Sequence, residues 1–132
     1  MGADFPVRVY YEDTDLAGIV YYANYLKYIE RARSEWVRDL GIDQTQLRAE
    51  GLVFAVRRVE ADYLAPARVD DLLAVQTSAR SISAARVVLE QRVLRAEAVL
   101  FTALVTLVCL GPDGRPTRLP SMLRLAVKTD RN

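Results

Sequence analysis

From Val99 to Leu110 the chain reads VLFTALVTLVCL, apolar at every position except Thr102 and Thr106. The run is far too short to span a bilayer, and the turn GPDG (Gly111 to Gly114) follows at once. Read as a strand, it puts Ala103, Val105 and Leu107 on one face and Leu104, Thr106 and Val108 on the other, because successive side chains alternate. Both faces are then apolar. Such a strand belongs inside a sheet, covered on each side. The rest of the sequence has to supply the covers.

One long helix is available. From about Tyr22 to Leu40, Leu26, Ile29, Ala32, Trp36, Val37 and Leu40 recur at helical spacing, and Gly41 stands where a helix C′ residue belongs. The other face carries Lys27, Glu30, Arg31, Ser34, Glu35 and Arg38, with Glu30/Arg33 and Glu35/Arg38 spaced to pair. Tyr21, Tyr25 and Tyr28 read as packing residues with wet hydroxyls. A short second helix is expected from Gln44 to Glu50, with Asp43 as N-cap, Gln46 completing a capping box and Gly51 as its stop.

The remainder reads as strands. Pro6 to Tyr11 alternates and predicts a first strand ending near Glu12. Val53 to Ala65 alternates with an irregularity at Arg57–Arg58. Leu72 to Ile82 and Arg86 to Ala96 are joined by the hairpin-length SISAA. Pro120 opens either a short terminal helix through Val127 or a sixth strand. The order is a strand, a helix, then a meander of four long strands. One helix laid across an antiparallel sheet makes an α+β layer, with residues 1–132 as one domain.

Composition narrows the function. The net charge of +1 argues against a nucleic-acid binder, and no basic stripe or RNA-binding signature is present. The cations are 16 Arg against 2 Lys, which reflects either genome composition or phosphate binding. MGADFPVRVYY has no basic head before an apolar run and no Ser or Thr at the sixth position, so neither a secretory signal nor myristoylation is expected. With a single cysteine and no transmembrane run, the expected location is the cytoplasm. Cys109, in the apolar strand, reads as a small buried hydrophobe.

There is no histidine. Ser-His-Asp and Cys-His nucleophile systems are excluded within one chain, as are His-based zinc sites, and one cysteine cannot make a thiolate cluster. No metal is expected. Catalysis has to rest on Asp, Glu, Tyr, Ser, Thr, Lys, Arg or backbone groups. The stretch DTDLAGIVYYANYLKYIERAR offers such groups: two close acids and a glycine directly before a helix start. Helix starts collect unpaired N–H groups and the positive end of the macrodipole. An acid there is either a cap or half of an active site whose other half is those N–H groups.

The block DTDLAGIVYYANYLKYIERARSEW resembles the hotdog-fold acyl-CoA thioesterases. The likeness begins at VRVYYEDTD and continues through FAVRRVEADYLAPARVDD, LEQRV and LVTLVC, nearly the whole chain. It is similar to the 4-hydroxybenzoyl-CoA thioesterase family, and within it to the type associated with the Tol–Pal gene cluster. The resemblance implies an α+β hotdog fold, one long central helix wrapped by a curved antiparallel sheet of five to six strands. It implies active sites at the interface of two subunits, dimers that pair into tetramers, and an acyl-CoA substrate with no separate cofactor. It makes Asp15 the catalytic acid, and the backbone N–H of Tyr22 the contact to the thioester carbonyl. Tol–Pal-type members usually carry histidine at the position of Tyr22, whereas the 4-hydroxybenzoyl branch carries an aromatic residue there.

The residues agree with that carry-over. Helix-start N–H groups suit a developing oxyanion. Asp15 can attack the carbonyl to form an anhydride or act on a water, and both routes stay open. Gly18 lets the backbone turn tightly beside the substrate, and Asp13 orients the loop. Arg57, Arg58 and Arg86 are candidates for the CoA phosphates near a subunit boundary. Three function classes follow: an acyl-CoA thioesterase, a hotdog dehydratase or hydratase (opposed by the missing histidine), and a non-catalytic CoA-binding or scaffold protein.

Overall fold

The computed structural model describes residues 4–131; Met1–Ala3, part of the segment read above for targeting signals, lie outside the described residues. The elements are β1 (Phe5–Arg8), a 3₁₀ turn (Tyr11–Asp13), α1 (Asn24–Asp39), α2 (Gln44–Ala49), β2 (Val53–Tyr63), β3 (Leu72–Ile82), β4 (Arg86–Arg95), β5 (Ala98–Leu110), β6 (Pro116–Thr117) and α3 (Ser121–Arg131). The strands form one antiparallel sheet in the order β1-β3-β4-β5-β2, with β6 on β5. The expected meander therefore holds only for β3-β4-β5. β2 pairs with β5 rather than with its sequence neighbour β3, and so becomes an edge strand.

The sheet curls around α1. Tyr25, Tyr28, Ile29, Ala32, Trp36 and Val37 of the helix are buried against Leu73 and Val75 of β3, Val87, Leu89 and Val93 of β4, and Phe101, Ala103 and Val105 of β5. Burying one such large side chain is worth about 1.5–3 kcal/mol. This is the expected hotdog arrangement. α3 adds Leu123 and Val127 to the core, with Leu119 just before it. Of the two alternatives read from Pro120 the helix is the one that forms, from Ser121 and longer than expected; a two-residue strand, β6, lies before Pro120 and continues on β5 beyond the end of β4.

Several local readings change. β1 is shorter than expected because the Asp13 carboxylate accepts the Tyr10 N–H at 2.9 Å and turns the chain out of the sheet. Leu26 is 41% exposed although it fits the helical stripe, while Tyr25 and Tyr28 carry the core face instead. The Tyr28 hydroxyl is buried, not wet. Arg38 pairs with Glu35 as expected. Arg33 instead turns inward, donating from Nη1 to Gln91 Oε1 at 3.0 Å. Gln91 is fully buried, and its Nε2 donates to Ile29 O and Thr77 Oγ1, both at 2.9 Å, which ties helix to sheet. Asp43 caps α2 by accepting the Thr45 and Gln46 N–H groups, but the return bond from Gln46 is not made. The irregularity at Arg57–Arg58 is a bulge between Val56 and Arg58. β5 is fully covered on one face, where Ala103, Val105 and Leu107 are buried; on the other, Val108 is buried but Leu104 and Thr106 stay half-buried.

Candidate active site

The loop from Asp13 to Ala23 is built by its own backbone bonds. Thr14 and Val20 form an isolated bridge, and Ile19 forms another with Arg68. Between them the Asp15 N–H donates to Ile19 O at 3.0 Å and the Gly18 N–H to Asp15 O at 2.9 Å, closing a tight turn. Gly18 has φ +78°, and a Cβ there would meet nothing within 4 Å. Glycine is therefore favoured by conformation rather than by space. The Asp15 side chain accepts the Ala17 N–H through Oδ1 at 2.9 Å and is exposed at the loop surface. One oxygen orients the carboxylate, and Oδ2 makes no hydrogen bond among the described residues.

Asp13 is the loop's anchor. Besides capping Tyr10, its carbonyl accepts the Tyr21 N–H and the Asn24 Nδ2, each at 2.9 Å. Tyr28 stands beneath it. Burial, together with the nearby Asp13 carboxylate, pushes the Tyr28 phenol well above the usual tyrosine range, so it stays protonated.

The helix proper begins at Asn24, two residues later than the sequence periodicity placed it. Helical turning nonetheless starts earlier. The N–H groups of Asn24, Tyr25 and Leu26 bond back to the carbonyls of Tyr21, Tyr22 and Ala23. Tyr22 and Ala23 thus lie in the first turn, and neither N–H has an acceptor among the described residues. Two neighbouring free amides at the positive end of a 16-residue helix follow the turn that carries Asp15. A carboxylate oxygen and unpaired amide donors are the two parts that acyl transfer needs.

The expected arginines are elsewhere. Arg57 is the bulge residue of β2, and Arg58 pairs loosely with Glu60 at 3.3 Å. Arg86 opens β4 opposite Val108. Tyr63, at the other end of β2, lies beside Tyr22, so Arg57 is about 20 Å along the strand from the loop. Within one chain these three arginines do not join Asp15. Arg68, on the connection from β2 to β3, is the arginine whose backbone is bridged to the loop, at Ile19. The sequence reading missed Arg68 and Tyr63; both lie in the quoted EADYLAPARVDD, but only long-range pairing shows where that segment goes.

Residues 9–127 match the Thioesterase-like superfamily. The chain belongs to this superfamily. It is 44% identical over 121 residues to the acyl-CoA thioester hydrolase YbgC of Escherichia coli O6:H1, covering 90% of each chain. It is also 44% identical over 127 residues to the acyl-CoA thioesterase YbgC of Haemophilus influenzae, covering 95% of this chain and 93% of that one. Among solved structures it superposes on a probable thioesterase from Bartonella henselae with a TM-score of 0.85 at 42% identity, covering 89% of this chain and 98% of the other. A 1,4-dihydroxy-2-naphthoyl-CoA thioesterase from Synechocystis superposes with a TM-score of 0.86 at 25% identity, covering 95% and 94%. Among the described residues of this superfamily member, no helix is long and apolar enough to cross a membrane, and no His/Cys/Asp/Glu group could hold a metal ion.

Proposed function

We propose that this thioesterase-superfamily chain hydrolyses acyl-CoA thioesters to free acid and CoA, with Asp15 as the reacting carboxylate and the Tyr22 N–H as the carbonyl contact. The observation that carries the reading is the adjacency on one short loop of an oriented carboxylate and first-turn amides without acceptors. Two routes fit. In one, an Asp15 oxygen adds to the thioester carbon, CoA leaves as the thiolate, and water hydrolyses the resulting mixed anhydride. In the other, Asp15 takes a proton from a water that adds directly. In both, negative charge builds on the carbonyl oxygen, where fixed amide dipoles stabilise it. Gly18 keeps the turn clear of side chains. The reaction needs no metal and no cofactor, since CoA enters as part of the substrate. A reducing cytoplasm suits the single buried Cys109.

The working unit is a homo-oligomer, most simply a dimer of dimers. β2 is an 11-residue edge strand. Its Val53, Val56 and Val59 are 42%, 46% and 39% exposed. Between α1 and β2 runs a groove of about 360 Å³ lined by Leu26, Ile29, Val37, Phe54, Val56 and Val59 among others. A long apolar edge left open is an association hazard unless it is paired. A fully overlapped antiparallel pairing of two β2 edges lays the Val53 end of one beside the Tyr63 end of the other. In that register Arg58 faces its own copy at the centre of the strand, so Arg57, Arg58 and Arg86 remain candidates for the CoA phosphates near the subunit boundary rather than parts of the partner's loop.

Thiol release by the purified protein from a panel of aliphatic and aromatic acyl-CoAs tests the function. Turnover of at least one thioester is expected. Binding without turnover across the panel would make the chain a CoA-binding or scaffold protein instead.

A further inference from the structure

Tyr63 ends β2, yet its phenol donates to the carbonyl oxygen of Tyr22 at 3.2 Å, across 41 positions of sequence. Its ring sits edge-on to three neighbours, with centroids 5.0 Å from Phe101, 5.6 Å from Tyr25 and 6.0 Å from Tyr22. Burial, with the Tyr22 phenol alongside, raises Tyr63 above the usual tyrosine range, so it remains a donor. The other bond to this carbonyl is the long 3.4 Å contact from the Tyr25 N–H. The carbonyl belongs to the Tyr22–Ala23 peptide. A peptide unit turns as one plane, so holding its oxygen fixes the direction of the Ala23 N–H. It also restrains the Tyr22 N–H on the other side of the same Cα. These are the two free first-turn amides, and oxyanion donors act through preorganisation rather than through adjustment during the reaction.

We propose that Tyr63 is a positioning residue for the oxyanion-binding amides, clamping the Tyr22–Ala23 peptide from the neighbouring strand so that the Ala23 N–H within it and the Tyr22 N–H before it face the thioester carbonyl. This rests on the reading of the Tyr22 N–H as the carbonyl contact. Tyr63→Phe removes the O–H and keeps the ring and its packing. The variant is expected to keep its fold and its KM while kcat falls by about five- to thirtyfold, less than the loss of a whole oxyanion donor. A raised KM at constant kcat would put Tyr63 on the substrate, and unchanged kinetics would make the bond idle; either overturns the proposal. A spectroscopic test separates the clamp from the donors it serves. With the best substrate of the panel, carbon-13 labelled at the thioester carbonyl and bound to the Asp15→Asn protein, the C=O stretch is expected to move to lower frequency. Adding Tyr63→Phe is expected to shrink that shift. An equal shift in both proteins overturns the role of Tyr63 alone. No shift in Asp15→Asn itself overturns the amide reading, and this proposal with it.

Discussion

At the scale of single residues, the proposed mechanism gives Asp15 and Tyr22 different jobs, and substitution separates them. Tyr22 is 61% exposed and works through its main chain in the proposed mechanism. Tyr22→Phe is therefore expected to change kcat by less than about tenfold, whereas removing one oxyanion donor costs about a hundredfold or more. Steady-state hydrolysis measures it, and a hundredfold loss would make the phenol the working group. Residues whose role is local were legible in the sequence. Asp43 caps α2 because a carboxylate before a helix start has N–H groups within two and three residues. Arg33 was not legible. Spacing along the helix offered it Glu30, but its partner Gln91 lies 58 positions away on β4. The Tyr63 bond to Tyr22 was hidden for the same reason.

At the scale of elements, alternation and turn chemistry located most strands to within a residue or two, including the bulge at Arg57, where the alternation breaks. Pairing order was not legible, because nothing local in β2 says that its partner is β5 rather than β3. The connection from β2 to β3 does more than link strands. Ala67 O accepts the Val20 N–H and the Ala67 N–H donates to Tyr25 Oη, so this segment supports the candidate active-site loop and the helix start. Asp71 at its end accepts the Arg68 N–H at 2.9 Å and Arg95 Nη1 at 2.8 Å. The Arg68 hydrogen bond first, and the Arg95 guanidinium second, hold its carboxyl below the usual carboxylate range. A depressed folded pKa means that the unfolded chain takes up the proton more readily. The stabilisation is thus complete above the unfolded value of about 3.9 and is lost as pH falls through the folded one. Asp71→Asn is expected to unfold at lower urea than wild type at pH 7, with the gap closing below about pH 4. A gap that stays constant through acid would mean the Asp71 charge contributes nothing.

At the scale of the molecule, one helix covers one face of the sheet, and the burden that opened with the Val99–Leu110 strand is only half met. Leu104 and Thr106 remain half-buried on the outer face, and the β2 edge exposes its valines beside the groove. The apolar composition of both strands was visible in the sequence; which strand would be the edge was not. Light scattering at assay concentration is expected to give a homo-oligomer, a tetramer most simply, whose dissociation on dilution carries activity away with it. An active monomer would contradict both the burial argument and the shared cleft. The proposed chemistry converges on one carboxylate, that of Asp15. Thiol release by Asp15→Asn, compared with wild type at saturating acyl-CoA, tests it most directly, since the amide keeps the shape of the carboxylate and its Ala17 contact. Turnover is expected to fall by at least about a hundredfold while acyl-CoA still binds. Turnover near the wild-type rate would place the reacting group somewhere other than this loop.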